Sequence, residues 1–174
     1  AFVYPFWLPD GTLSTRSTDA PLIAGVVGAL AIAAVMAEIR AHTMTGADVA
    51  VLGMLSAMAG LMRLVDLPGG GSGIFLLVIL GAVALGPRRG FLLGLFSMAL
   101  SAVVTGGVGP WLPFQMLVLA WVGAALGLIG RATRRMPPTA ELAVVAVAAW
   151  ASAFLYGVLI NLWSWPLTPG EGEL

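Results

Sequence analysis

Gln115, Asn161 and Arg63 are the side chains of this sequence best placed to do chemistry, because each stands inside or at the end of an apolar run. Polar groups in such runs are rare; they mark either a ligand path or a bond between helices. Gln115 comes about one turn into its run, beside Trp111 and Phe114, and Asn161 comes late in another, between Tyr156 and Trp163. Arg63 closes a third run, with Asp66 three residues on. A few directional hydrogen bonds among aromatic walls suit a planar or ring-bearing small molecule. The expected substrate-binding set is therefore Arg63, Trp111, Phe114, Gln115, Tyr156, Asn161 and Trp163. Each has a plainer reading: a helix–helix hydrogen bond for Gln115 and Asn161, an interfacial ion pair or snorkelling for Arg63, and a belt position for the tryptophans.

Bond-making chemistry is not expected. The chain has no Cys, a single His at position 42, and no nucleophile–base pair or paired carboxylates. No metal-ligand spacing exists, and no cofactor is implied. The Gly69-Gly70-Gly71 run lacks the Lys-Ser/Thr that a phosphate-binding loop needs. Net charge is zero, which gives no footprint for nucleic acid. Glu38 and Glu141 are expected to pair with Arg40 or Arg135 and to do nothing more.

The elements that carry these residues are set by hydropathy. With 60% hydrophobic and 9% charged residues and a mean hydropathy of +1.02, the composition lies far outside the soluble range. A bilayer core of roughly 30 Å takes about 20 helical residues. Apolar runs between charges and Gly/Pro breaks predict six spans: 21–39, 47–64, 73–85, 90–105, 111–130 and 139–163. The fold class is all-α, a polytopic membrane helix bundle. Asp19 reads as a cap for the first helix, with Pro21 in its first turn. The third run is short for a full span.

Charge orients the bundle. Arg40, Arg88, Arg89, Arg131, Arg134 and Arg135 fall in alternate loops on one side, whereas Arg16 and Arg63 fall on the other with Asp10, Asp19 and Asp66. By the positive-inside rule the six-Arg side is cytoplasmic. Trp7, Trp111, Trp163 and Trp165 then gather at the outer ends, and the C-terminal tail lies outside.

A stripe of small residues runs along the second span: Gly46, Ala50, Gly53, Ala57 and Gly60. In lipid such a groove lets another helix approach closely, whether that helix belongs to a partner or to the same bundle. Two further stripes, Gly90/Gly94/Ser97/Ser101 and Ala146/Ala149/Ala153/Gly157, are expected to serve internal packing. The loops 66–72 and 106–110 are rich in Gly. Three successive glycines exceed what a tight turn needs, so the first is expected to act as a gate over a bound molecule.

Several segments together resemble a known family. They are Ala50-Val51-Leu52-Gly53-Met54-Leu55-Ser56-Ala57 with Leu61-Met62-Arg63-Leu64, the Gly69-Gly70-Gly71 loop, Gly86-Pro87-Arg88-Arg89-Gly90, and Gly106-Gly107-Val108-Gly109-Pro110-Trp111-Leu112-Pro113-Phe114-Gln115-Met116. This pattern is similar to the substrate-binding (S) components of energy-coupling factor (ECF) vitamin transporters, in particular the cobalamin type and its unassigned actinobacterial relatives. Weaker similarity continues through Asn161-Leu162-Trp163-Ser164-Trp165-Pro166. The resemblance implies a prokaryotic plasma membrane, a vitamin substrate, a transmembrane coupling subunit and two cytosolic ATPases. It also implies a core of six helices whose first docks on the coupling subunit through a small-xxx-small motif. That assigns Ala50, Gly53, Ala57 and Gly60 to partner docking, with Gly53/Ala57 the best match to a motif usually written with two alanines. The organisation is then residues 1–46 as an external segment plus an extra helix, 47–165 as the core, and 166–174 as a polar external tail. Residues 139–163 become the fifth core helix, and the chain is expected to be a piece that lacks the sixth. The alternative from another class is a structural scaffold subunit of the MreD-like kind, which binds no small molecule.

Overall fold

The computed structural model describes the backbone of residues 13–67, 71–109 and 111–164, and side chains at 22, 25–65, 72–109 and 111–162 with few exceptions. Six α-helices follow one another: α1 (Leu13–Arg40), α2 (Gly46–Leu61), α3 (Ile74–Leu85), α4 (Pro87–Thr105), α5 (Leu112–Thr133) and α6 (Pro138–Ser164). A 3-10 turn, Met62–Leu64, extends α2. Among the described residues, four helices are long and apolar enough to cross a membrane: α2 with its 3-10 extension, α4, α5 and α6. The 12 residues of α3 reach only about 18 Å at 1.5 Å per residue, short of a full hydrocarbon core.

Local chemistry explains most helix ends. Thr45 and Asp48 form a capping box at the start of α2: the Thr45 side chain accepts from the Asp48 N–H, and the Asp48 carboxylate accepts from the Thr45 N–H at 2.9 Å. Between α3 and α4, Gly86 adopts φ 87°, and Pro87 then opens α4 in the first helical position. Gly106 ends α4 in the left-handed conformation, φ 67°.

Three expectations need correction. First, α1 begins at Leu13, so Pro21 lies inside the helix and Asp19 is not its cap. The fixed φ of proline is helix-compatible, and it forfeits one backbone hydrogen bond that a long helix can spare. Second, the glycine-rich stretch after α2, expected as a loop, contains a short antiparallel pairing. Asp66 and Leu67 pair antiparallel with Ser72 and Gly71, and the Gly73 N–H donates to the Val65 carbonyl at 3.1 Å. The tip, residues 68–70, lies outside the described residues. Third, Glu38 pairs with Arg88 at 3.4 Å rather than with Arg40. Residues two apart on a helix do not face each other.

The bundle is built round α4 and α5, which cross at backbone contact. A Cβ on Gly90 would sit 2.5 Å from the Gly123 carbonyl oxygen, and one on Gly127 would sit 2.5 Å from the Gly86 carbonyl carbon. Gly94 meets the Leu119 backbone in the same way. In lipid this close approach of backbones supplies the packing energy that hydrophobic burial cannot. The α4 stripe thus serves internal packing, as expected. Helices α2 and α3 flank the pair and fill its inner clefts with Ala59, Ile74 and Val78.

The stripe on α6 behaves otherwise. This helix leans on α5 through Ala148, Tyr156, Leu159 and Ile160, while Ala146 and Ala153 are exposed and a Cβ on Gly157 would meet nothing within 4 Å. At 100° per residue the stripe lies roughly 90° round from the packing face. It faces outward.

Candidate functional site

The α2 and α4 helices run in the same direction, so the end of α2 meets the end of α4. Arg63, on the 3-10 turn, reaches across: its Nη1 donates to Ser101 Oγ at 3.2 Å and lies 3.0 Å from Met98 Sδ. Ser101 and Met98 are buried. No carboxylate pairs with Arg63 among the described side chains; that of Asp66 lies outside them. The Arg63 charge is also within electrostatic reach of the Tyr156 phenol. Tyr156 in turn stands edge-on to Phe75, ring centroids 5.1 Å apart and planes at 83°. Two contacts, Arg63 with Ser101 and Tyr156 with Phe75, thus draw on four elements of the bundle.

Gln115 belongs to the same end. Its backbone N–H closes the first turn of α5 on the Trp111 carbonyl at 3.0 Å. Its Oε1 is buried and finds no hydrogen-bond partner among the described residues. An unmet acceptor away from water carries a desolvation penalty, and a bound ligand donor would remove it. Phe114, next to it, is buried. Trp111 is half-exposed, with its ring folded over the Cα of Gly109.

Asn161 is not brought to this cluster. It is exposed on α6, its Nδ2 donates to the Gly157 carbonyl at 2.8 Å, and it borders an outward groove with Ala153 and Phe154. The Trp163 side chain lies outside the described residues. Conversely, Met98 and Ser101 join Arg63, and Phe75 joins Tyr156, none of them expected as a site residue from sequence. Ser101 carries one usable signal, a hydroxyl in an apolar helix, but that signal also fits its place in the α4 packing stripe.

The candidate docking face of α2 is largely open. Gly46 and Gly53 would each place a Cβ in free space, and Ala50 and Ala57 are exposed. Gly60 departs from the other four: a Cβ there would come 3.0 Å from the Ser101 nitrogen, so this glycine is spent on the α2–α4 crossing. Its angular position explains the split, since Gly60 is the stripe residue nearest the buried edge at Ser56. Gly53 also borders an apolar groove of about 330 Å³ between α1, α2 and α4.

At the opposite end Arg88, Arg89, Arg131 and Arg134 gather round a common cavity, as the alternation of basic loops requires. Arg89 pairs with Asp48 at 3.0 Å, tying the start of α4 to the start of α2.

A family model described as the substrate-specific component of the ECF transporter matches residues 47–170. That span takes in α2 to α6 and leaves out α1. The chain belongs to this family. No curated protein and no solved structure matched it. An ECF substrate-specific component is a membrane-embedded, substrate-binding subunit of a transporter and not an enzyme, and the apolar helices fit a multi-pass protein. In this S component the Arg63–Tyr156–Gln115 end and the bare α2 face are thus the two surfaces of functional interest.

Proposed function

We propose that this S component captures a neutral, ring-bearing vitamin or related micronutrient from outside a prokaryotic plasma membrane and delivers it inward. A transmembrane coupling subunit and two cytosolic ATPases supply the energy. Gln115 Oε1, Arg63 and Tyr156 provide directional contacts, and Trp111, Phe114 and Phe75 provide apolar wall. Asn161 and Trp163 enter the site only if the α6 end turns inward when substrate binds. The coupling subunit docks on Ala50, Gly53 and Ala57, with Gly60 setting how close α2 lies to α4.

One observation supports this reading above others: small residues that α4 and α5 use up on each other are left uncovered on α2. A bundle that needed them only for its own cohesion would have filled them. The β1–β2 hairpin beside Arg63 (β1, Asp66–Leu67; β2, Gly71–Ser72) is the natural cover for an occupied site.

Equilibrium binding of labelled vitamins to the intact protein in nanodiscs tests it. Saturable binding of one compound, weakened about tenfold or more with Arg63→Ala or Gln115→Leu, is expected. Absence of saturable binding by every compound, with and without the coupling subunit, overturns it.

A further inference from the structure

The arginine-rich end carries a second site. Its cavity, about 350 Å³, is lined by four guanidinium groups against the single carboxylate of Glu38. Two of the four are engaged in ion pairs, Arg88 with Glu38 and Arg89 with Asp48. Arg134 uses Nη2 on the Ala84 carbonyl at 3.2 Å. Arg131 has neither a hydrogen bond nor an ion pair among the described residues. A concave, cation-rich site with unspent N–H donors calls for an anion, and planar guanidinium forks match phosphate oxygens.

A second cavity, also about 350 Å³, distinguishes the possible anions. It shares Glu38, Pro87, Arg88 and Leu92 with the first and continues past Ala34, Phe91 and Ala124. Ala34 and Phe91 lie one turn deeper than Glu38 and Arg88 on their helices, so the basic mouth opens into an apolar trough. A free phosphate would leave that trough idle. A molecule with an anionic head and a hydrocarbon tail fills both.

We infer that an anionic phospholipid binds here, its phosphate among Arg88, Arg131 and Arg134 and one acyl chain along Ala34, Phe91 and Ala124. The mouth lies on the side that the positive-inside rule makes cytoplasmic, where anionic headgroups concentrate. One wall of the trough is α1, which the family match leaves out, and the other is α4 and α5, which it includes. The lipid thus lies in the seam between the additional helix and the core and ties them together.

The test uses the intact protein, delipidated and returned to nanodiscs of phosphatidylcholine alone or with phosphatidylglycerol. Native mass spectrometry reads lipid retention, and thermal unfolding reads stability. Phosphatidylglycerol should be retained in preference to phosphatidylcholine and should raise the unfolding temperature. At about fivefold per guanidinium, Arg131→Gln with Arg134→Gln should weaken retention roughly 25-fold, whereas Arg131→Lys with Arg134→Lys keeps most of it. Ala34→Trp, on the exposed side of α1, blocks the trough and should lose the lipid while the protein unfolds normally in phosphatidylcholine. Equal retention of the two lipids, or undiminished retention in the double Gln variant, overturns the inference. Stabilisation by inorganic phosphate equal to that by phosphatidylglycerol, unaffected by Ala34→Trp, assigns the site to a free anion and overturns the lipid.

Discussion

Arg63 Nη1 lies 3.2 Å from Ser101 Oγ, so the cation at the end of α2 is held by a hydroxyl of α4 that is itself buried. A hydrogen bond to a charged group contributes more than a neutral one, typically about 1.5–3 kcal/mol. Ser101→Ala should therefore lower stability by about 1 kcal/mol, since Met98 and solvent retain part of the guanidinium's contacts. It should also weaken substrate binding by freeing Arg63 from its position. Paired thermal-unfolding and binding measurements check this, and an unchanged affinity would remove Arg63 from the site.

Gln115 is predicted to separate stability from binding. Replacing a buried acceptor that lacks a partner with Leu removes a penalty of about 1–3 kcal/mol, so Gln115→Leu should leave the unfolding temperature unchanged or higher. Substrate affinity should fall about tenfold or more. A variant that loses both together would show that Gln115 is a structural residue.

The α2 stripe should divide into two classes. Gly53→Leu and Ala57→Leu place bulk in open space and should change stability by no more than about 0.5 kcal/mol, yet abolish co-purification with the coupling subunit. Gly60→Leu, where a Cβ already approaches the Ser101 nitrogen to 3.0 Å, should destabilise the protein itself. Thermal unfolding beside pull-down of the coupling subunit distinguishes the two classes. Intact partner binding by the Gly53→Leu, Ala57→Leu double variant would end the docking proposal.

Glycines in the α4–α5 crossing should be intolerant of a single methyl. Gly123→Ala and Gly127→Ala overpack backbone against backbone and should cost about 1–3 kcal/mol. Gly157→Ala, with nothing within 4 Å, should instead gain up to about 1 kcal/mol from better helix propensity. Thermal unfolding of the three single variants in one lipid composition checks the contrast.

Much of this architecture is legible from local chemistry. Apolar runs bounded by Gly86-Pro87 and by Pro137-Pro138 place α3, α4 and α6 to within three residues, because a proline or a left-handed glycine acts on its own neighbours alone. The start of α1 escaped, because Pro21 inside a helix and Pro21 opening one leave the same local mark. The short hairpin escaped for a related reason: three glycines tell of freedom, and only the pairing of Asp66 with Ser72 shows how it is used. In the candidate site, Arg63 and Gln115 stood out as polar groups in apolar surroundings. Ser101 and Phe75 did not, since a serine or phenylalanine in a membrane helix is ordinary until its neighbour is known.

The sequence by itself determined the membrane class, the count and limits of most helices, the clustering of arginines at one end and the positions of small residues along each helix. These follow from hydropathy, backbone sterics and the alternation of loops, all of which are local. Tertiary structure alone decided which small stripe is filled and which is bare. It also decided that Tyr156 meets Phe75. Helical periodicity states only which residues share a face; the direction that face points is set by the helices packed around it.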